Sequence, residues 1–270
     1  MTRFLLTNDD GIHSSGLALL RRALEPLGEV ITVAPERNAS AVARSITIGR
    51  PLRAVHTRFG HGYRGVSVDG TPVDCVRVAM LEAVGPRPDF IVAGVNLGAN
   101  MGNDVTYSGT VGAVLEGLFY GLAGAAVSIE TRTPRHLQTH ARLLTAIVGQ
   151  LLRRPLPPGV MLNVNLPDRP AHALRGVQPT CLGGSSCHDR LVLHDDDGTH
   201  GEYRIVCGRA PAEPGTASDF EAVERGYVSL TPLHFDLTSG AGLRALAAWP
   251  LHELTVAGSP ATAEQRPTPS

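Results

Sequence analysis

The sequence contains no lysine, because all 24 of the residues that count as Lys or Arg are arginine. This absence excludes a Schiff-base lysine, the lysine of a P-loop and a lysine general base. Cysteine is also scarce. Its four residues lie far apart, without the paired spacing of a zinc site and too sparsely for a disulfide scaffold. We therefore expect buried or unreactive thiols in a reducing cytoplasm.

A strong charge bias and long apolar runs are absent as well. The formal net charge is -1 at pH 7, which provides no basic surface for a nucleic-acid polymer. The apolar run at the N-terminus is too short for a signal peptide, and no stretch approaches the length of a membrane span. These features predict a globular, cytoplasmic protein with a small-molecule ligand and without a nucleic-acid polymer or a membrane as a partner.

Apolar segments alternate with helix-period segments through the first half of the chain, which is typical of a doubly wound parallel sheet. The predicted strands are 4–6, 30–34, 90–94, 126–129 and 161–166. One predicted helix begins near residue 15, and three more cover about 72–84, 110–123 and 134–153. Beyond residue 158 the pattern changes. It predicts an antiparallel arm (190–194 and 202–206), a final strand (226–230), a short helix (243–249) and a disordered tail (258–270).

Two adjacent carboxylates, Asp9 and Asp10, directly follow the first predicted strand. In parallel sheets, ligands bind at the carboxyl ends of the strands. Adjacent ionised carboxylates repel each other, so a site that keeps both ionised usually holds a cation. The alternative is that Asn8 and Asp9 shape a turn while Asp10 or Ser14 caps the next helix. These residues alone leave both interpretations open.

Two further loops, 35–45 and 96–110, follow predicted strands, and we expect them to meet the first loop at one edge of the sheet. They carry Ser40 and Asn96. Hard divalent cations accept hydroxyl and amide oxygens beside carboxylates. Judged alone, Ser40 is more often a cap or turn hydroxyl, and Asn96 a turn residue. Together with the two aspartates they would form a half-open metal shell with room for water and a phosphate oxygen.

The segment from Tyr107 to Val114 predicts a glycine-containing loop that opens a helix. The exposed N–H groups and the dipole at a helix N-terminus favour an anion, and the hydroxyl of Ser108 or Thr110 can add hydrogen bonds. An ordinary Ser or Thr N-cap is the more common alternative. His13 lies near the paired carboxylates in the sequence and could protonate a leaving oxygen or merely touch the rim of the site.

Taken together, these segments resemble the family of the stationary-phase survival protein SurE, whose members are metal-dependent 5′/3′-nucleotidases. The matching segments are LLTNDDGIHSSGL at 5–17, VAPERNASAVARSIT at 33–47, VDGTPVDCV at 68–76, PDFIVAGVNLGANMGNDVTYSGTVGAVLEG at 88–117, MLNVNLP at 161–167 and GYVSLTPL at 226–233. They span most of the chain, and their combination is highly specific.

The resemblance implies a Rossmann-like three-layer αβα catalytic core at 1–170. It places the β-hairpin arm, the final core strand and an exchanged oligomerisation segment at 171–257, before the tail at 258–270. The implied activity is hydrolysis of nucleoside 5′- and 3′-monophosphates to nucleoside and phosphate by a homodimer or homotetramer, with an exopolyphosphatase side activity left open.

The resemblance also implies the site residues. Asp9, Asp10, Ser40 and Asn96 would bind one divalent cation per subunit, namely Mn²⁺, Mg²⁺ or Co²⁺. Asn96, Ser108, Gly109 and Thr110 would lie at the phosphate. The catalytic residues would be Asp9 and Asp10, with Asp9 orienting or deprotonating the attacking water.

This sequence departs from the family pattern in three places. Residues 38–41 are Asn-Ala-Ser-Ala, where many members have a charged residue followed by Ser-Gly, so we expect a stiffer loop. Gly-Thr-Ala-Ser precedes Asp219, where the family commonly places Gly-Thr directly before the aspartate, and the arm at 183–190 lacks an aromatic residue often found there. These departures leave the substrate preference open.

Two other functions remain alternatives. In haloacid-dehalogenase-like phosphatases an aspartate becomes phosphorylated, but their two aspartates are spaced one residue apart and they usually need a lysine, whereas here Asp9 and Asp10 are adjacent and lysine is absent. A nucleotide-sensing Rossmann module without activity is the second alternative, although no Gly-x-Gly-x-x-Gly follows the first strand.

Overall fold

The computed structural model describes residues 1–184, 190–196, 201–206, 215, 217–251 and 254. The predicted disordered tail at 258–270 lies outside the described residues. The chain divides into two compact units, Met1–Phe235 and Asp236–Ser270. No helix among the described residues is long and apolar enough to cross a membrane.

The first unit contains eleven strands and five α-helices within its described residues, besides three short 3₁₀ helices. The strands are β1 (Thr2–Thr7), β2 (Gly28–Pro35), β3 (Ala54–Phe59), β4 (Tyr63–Val68), β5 (Phe90–Leu97), β6 (Ala123–Ile129), β7 (Val160–Leu166), β8 (Gly176–Pro179), β9 (Arg190–Asp196), β10 (Gly201–Val206) and β11 (Tyr227–His234). The helices are α1 (Ser15–Leu24), α2 (Pro72–Met80), α3 (Gly109–Phe119), α4 (Ala141–Arg153) and α5 (Asp219–Glu224). The second unit contributes α6 (Gly240–Ala247), capped by Ser239.

Nine strands form one sheet in the order β3, β4, β2, β1, β5, β6, β7, β11, β8. The six strands from β4 to β7 in this order are parallel. At the two sides, β3 runs antiparallel to β4, and β11 runs antiparallel to β7. Strands β9 and β10 form a separate antiparallel hairpin. The predicted α/β core with a β-hairpin arm is therefore confirmed, with antiparallel additions to the parallel sheet.

Helices cover both faces of the sheet and bury its apolar side chains in two clusters. One cluster joins α1 and α4 to the sheet, with Leu17, Leu20 and Leu144 among its buried members. The other joins α2 and α3 to the opposite face, with Val76 and Val111 among its members. This arrangement is the predicted three-layer core. The sheet is therefore held rigidly from both sides, and the loops at its carboxyl edge extend from a fixed base.

The strand order reverses its direction at β1. From β1 the chain proceeds to β2 on one side and later returns on the other side at β5. In an open α/β sheet such a reversal leaves a crevice at the carboxyl ends of the two central strands, because the loops diverge to opposite faces. Here that crevice lies between the ends of β1 and β5.

The structure differs from the sequence prediction at several elements. The predicted helix at 72–84 ends as α2 at Met80, and β8 and α5 were not predicted. The hairpin of β3 and β4 was not predicted. The predicted helix at 110–123 ends at Phe119, because residues 120–122 form a turn and β6 begins at Ala123. The predicted helix at 134–153 begins as α4 only at Ala141, after a short 3₁₀ helix, Leu137–His140.

Candidate active site

A cavity of about 520 Å³ opens at the crevice between the ends of β1 and β5. The three loops expected at this edge all contribute to it, and a fourth loop, after β6, contributes as well. Its polar lining consists of Asp9, Asp10, Asn38, Ser40, Asn96, Asn100, Asp104, Tyr107, Ser108 and Arg132.

Asp9 lies at the base of this cavity and is almost completely buried, with 3% of its surface exposed. Its Oδ1 accepts a hydrogen bond of 2.6 Å from the hydroxyl of Thr110, at the start of α3. Its backbone carbonyl accepts the N–H of Ala39 at 2.7 Å, which connects β1 to the loop after β2. Asp9 is therefore fixed by both neighbouring loops.

Asp10 is half-buried beside it and turns toward β5. Its Oδ2 accepts the backbone N–H of Leu97 at 3.0 Å, and its Oδ1 lies 3.4 Å from Nδ2 of Asn38. Of the two helix caps that the alternative named, Ser14 is confirmed, because its hydroxyl accepts the N–H of Leu17 at the start of α1, whereas Asp10 does not cap the helix. Both carboxylates are thus directed to the cavity rather than used as local caps.

Burial dominates the acid–base properties of this pair. Loss of solvation raises the pKa of Asp9 to about 6; the bond from Thr110 opposes this shift, and the charge of Asp10 adds to it. Burial also raises the pKa of Asp10, whereas the hydrogen bond from the N–H of Leu97 and the positive charge of Arg132 lower it in part. Both carboxylates therefore lack sufficient compensation for their negative charge.

Ser40 and Asn96 approach the same cavity from opposite sides. Ser40 is exposed on the loop after β2, where its N–H donates to Oδ1 of Asn38 at 2.9 Å. Asn96 lies at the end of β5, and its Nδ2 donates to the carbonyl of Gly98 at 2.7 Å. A cation would bind this side chain through Oδ1, because the amide NH2 group only donates hydrogen bonds.

Of the residues expected at a phosphate, only Ser108 shares the lining of the cavity with Asn96. Its hydroxyl also accepts the N–H of Val111 and caps α3. Thr110 is fully buried and holds Asp9. Gly109 permits the close approach of α3 to β1, since a Cβ at this position would lie 3.0 Å from Cβ of Asp9 and 3.2 Å from its Oδ2.

Arg132 and Asn100 were not singled out from the sequence. Arg132 lies in the loop after β6 and is the only cationic side chain in the lining formed by the described residues. Asn100 is buried, and its Nδ2 donates to Ser128 Oγ at 2.7 Å. Because the strand at 126–129 was predicted, the loop that follows it could have been assigned to the same edge. His13 is exposed and does not contribute to the lining.

The donor set suits a hard divalent cation. Two desolvated carboxylates, one hydroxyl and one amide oxygen face a single cavity, and such cations prefer oxygen ligands. Within the described residues, no group of three or more His, Cys, Asp or Glu side chains could hold a metal ion. A metal at this site would therefore depend on the neutral oxygens of Ser40 and Asn96 as well as on the two aspartates.

Fold and site together define an α/β protein with a carboxylate-based ligand site at the switch point of its sheet. The family model described as "Survival protein SurE" matches residues 4–189, and the chain belongs to this family. The predicted family membership is therefore confirmed.

The relatives match along nearly their whole length. The 5′-nucleotidase SurE of Rubrobacter xylanophilus is 44% identical over 265 residues, which cover 94% of this chain and 99% of that protein. The 5′-nucleotidase SurE of Alkalilimnicola ehrlichii is 43% identical over 249 residues, with coverages of 92% and 95%. The crystal structure of the SurE protein from Aquifex aeolicus has a TM-score of 0.78 at 36% identity and covers 90% of this chain and 98% of that chain.

The burial of Asp9 predicts that the stability of the metal-free protein falls as the pH rises. The folded pKa of about 6 lies above the ordinary value of 3.8, so this residue favours folding when protonated, and that contribution is lost as the pH rises through 6. The loss is about 3 kcal/mol when Asp9 is fully ionised. In chelator, Asp9→Asn should therefore gain stability over the wild type by about this amount between roughly pH 4 and pH 8. Urea unfolding at both pH values measures it, and a difference that is independent of pH would contradict the prediction.

Proposed function

We propose that this protein is a divalent-metal-dependent phosphomonoesterase that hydrolyses nucleoside 5′- and 3′-monophosphates. The observation that carries the proposal is the buried carboxylate of Asp9 beside the half-buried carboxylate of Asp10, at the base of an open cavity whose other ligand atoms are neutral oxygens. Relatives named 5′-nucleotidase SurE, at 43% and 44% identity over most of the chain, support the same activity.

Each site residue has a role in this proposal. Asp9, Asp10, Ser40 and Asn96 would hold one Mn²⁺, Mg²⁺ or Co²⁺ ion. When bound there, the cation would polarise a phosphoryl oxygen and lower the pKa of a bound water. Asp9 is the residue that orients or deprotonates the attacking water, and the Thr110 hydroxyl at 2.6 Å holds the Asp9 carboxylate in one orientation. Asn96 and Ser108 border the phosphate. Gly109 and Thr110 lie outside the cavity lining and contribute through their contacts with Asp9.

The proposed activity predicts strict dependence on a divalent cation. Chelation should abolish the hydrolysis of nucleoside monophosphates, and Mn²⁺, Mg²⁺ or Co²⁺ should restore it, because all four proposed ligands offer oxygen atoms. Asp10→Asn should lower kcat by at least about a hundredfold, since it removes one of only two carboxylates of the shell. Phosphate release with and without chelator measures both effects. Full activity in chelator would contradict the proposal.

Arg132 would bind the substrate phosphate in the same cavity. It forms no ion pair with any described residue, and its field acts on Asp10 by lowering the pKa of that carboxyl. In a chain without lysine, a phosphate dianion that enters a cavity lined by three aspartates needs arginine or a cation as its counter-charge.

We therefore expect Arg132→Ala to raise KM for nucleoside monophosphates about tenfold, with a smaller change in kcat, because one charge-assisted hydrogen bond to the phosphate is lost. Arg135→Ala is the matched control, since Arg135 is an exposed arginine of the same loop outside the cavity lining. Steady-state kinetics compare the two variants. Equal KM values for both variants would exclude this role.

The hairpin of β9 and β10 supports assembly into a homodimer or homotetramer. Leu191 pairs with Ile205 and Leu193 with Tyr203, so all four side chains share one face. Each of them is more than half exposed within the subunit. A hairpin with an exposed apolar face is marginal in water. We therefore propose that a second copy of this chain covers it.

Sedimentation velocity tests this assembly at micromolar concentration. The wild type should sediment as a dimer or larger, and Leu193→Glu should shift it toward monomer, because a charge would be buried in the apolar contact. Val192→Glu is the matched control, since Val192 lies on the opposite face of the same strand. A monomeric wild type, or equal behaviour of the two variants, would contradict the assignment.

The cytoplasm is the location we propose for this enzyme. Of the described cysteines, Cys75 is buried and Cys181 is exposed, and both are free thiols. A free exposed thiol suits a reducing compartment. Intracellular nucleoside monophosphates would be available to the enzyme there.

A further inference from the structure

A buried ion-pair cluster lies next to the candidate site. Glu116 of α3 is only 1% exposed, and both of its carboxylate oxygens are paired. Arg44 donates from Nη2 and Nε to Oε2 at 2.7 and 3.0 Å. Arg77 of α2 donates from Nε to Oε1 at 2.8 Å. Two arginines from different segments thus share one buried carboxylate.

Arg44 belongs to the turn that follows Ser40, and this turn is strained. Ala41 and Ala43 have φ angles of 58° and 53°, in the left-handed region that costs a residue with a side chain on the order of 1 kcal/mol. Such a turn persists only where its surroundings hold it. Here the N–H of Ala43 donates to the carbonyl of Tyr107 at 3.0 Å, and the side chain of Arg44 reaches Glu116.

The packing of Arg44 and its neighbours fixes the turn against α3. The guanidinium of Arg44 lies 4.5 Å from the ring centre of Phe235. Gly112 of α3 faces the turn, and a Cβ there would lie 2.8 Å from the carbonyl oxygen of Ala43 and 3.1 Å from Cα of Arg44. The turn therefore packs directly against the backbone of α3, and the side chain of Arg44 is hydrogen-bonded to Glu116 of the same helix.

Ser40 lies between this contact and a second one. On its N-terminal side, the N–H of Ala39 donates to the carbonyl of Asp9 at 2.7 Å. On its C-terminal side, the nearest side-chain anchor is Arg44. We propose that Arg44 is a positioning residue that, through Glu116, holds Ser40 in place for the divalent cation. This inference rests on the metal site of the proposed function.

The experiment measures Mn²⁺ binding to the full-length protein without substrate, by the electron paramagnetic resonance signal of free Mn²⁺. Arg44→Gln should weaken binding about tenfold, as loss of a group that orients a metal ligand does. Arg77→Gln is the matched control, because it removes the other partner of Glu116 and leaves the Ser40 turn anchored. It should change the dissociation constant less than about twofold.

Ser40→Ala separates positioning from general destabilisation. In the Ser40→Ala protein, Arg44→Gln should weaken Mn²⁺ binding no further, because the ligand that Arg44 positions is gone. Gly112→Ala tests the position of the turn independently, since its methyl group displaces the turn while all charges are retained. Like Arg44→Gln, it should weaken Mn²⁺ binding. It also serves as the test if Arg44→Gln does not fold.

Three results would overturn the inference. The first is an equal loss of Mn²⁺ affinity in Arg44→Gln and Arg77→Gln, and the second is an Arg44→Gln loss of affinity that stays as large in the Ser40→Ala protein. The third is Mn²⁺ binding that does not depend on Asp9. Because the readout is metal binding, its outcome is independent of nucleotide hydrolysis. A protein that binds Mn²⁺ as predicted but releases no phosphate would contradict the proposed function alone.

Discussion

The desolvation of two adjacent carboxylates at the end of β1, one buried and one half-buried, is the constraint on which the arrangement of this site depends. Burial disfavours both charges and raises the pKa of Asp9 to about 6. The neighbouring segments compensate only in part, through the Thr110 hydroxyl, the Leu97 N–H and the field of Arg132. The close approach of α3 at Gly109 is needed for the first of these contacts. The remaining imbalance is what a divalent cation would neutralise.

Much of the fold follows from apolar periodicity, and the differences arise where tertiary contacts override it. The core strands are buried on both faces and were predicted from their apolar runs. Strand β3 was missed because it is an edge strand whose residues are mostly exposed, so its sequence shows little hydrophobic signal. The helix predicted from residue 134 begins only at Ala141, and in the segment before it the N–H groups of Arg135 and His136 donate to the carboxylate of Asp168, each at 2.8 Å. No local pattern reveals this contact, since it joins residues more than thirty positions apart.

The site was predictable to the extent that its residues follow strands. The two aspartates follow β1, Asn96 lies at the end of β5, and Ser40 lies in the loop after β2. The topology alone therefore brings these side chains to one cavity. Thr110 was predicted beside a phosphate, and the structure shows its hydroxyl bonded to Asp9. That distinction depends on side-chain orientation, which spacing does not determine. The pairing of Arg44 with Glu116, 72 residues away, was equally invisible in the sequence.

The central claim is that Asp9, Asp10, Ser40 and Asn96 share one divalent cation. Anomalous diffraction from crystals grown with Mn²⁺ tests it most directly, because it locates the ion without reference to activity. The account predicts a single strong peak in the cavity at the end of β1, with carboxylate oxygens of both aspartates at about 2.1 Å. The hydroxyl of Ser40 and Oδ1 of Asn96 should complete the shell. A peak that lies away from the two aspartates, or one that persists in a crystal of Asp9→Asn, would contradict the account.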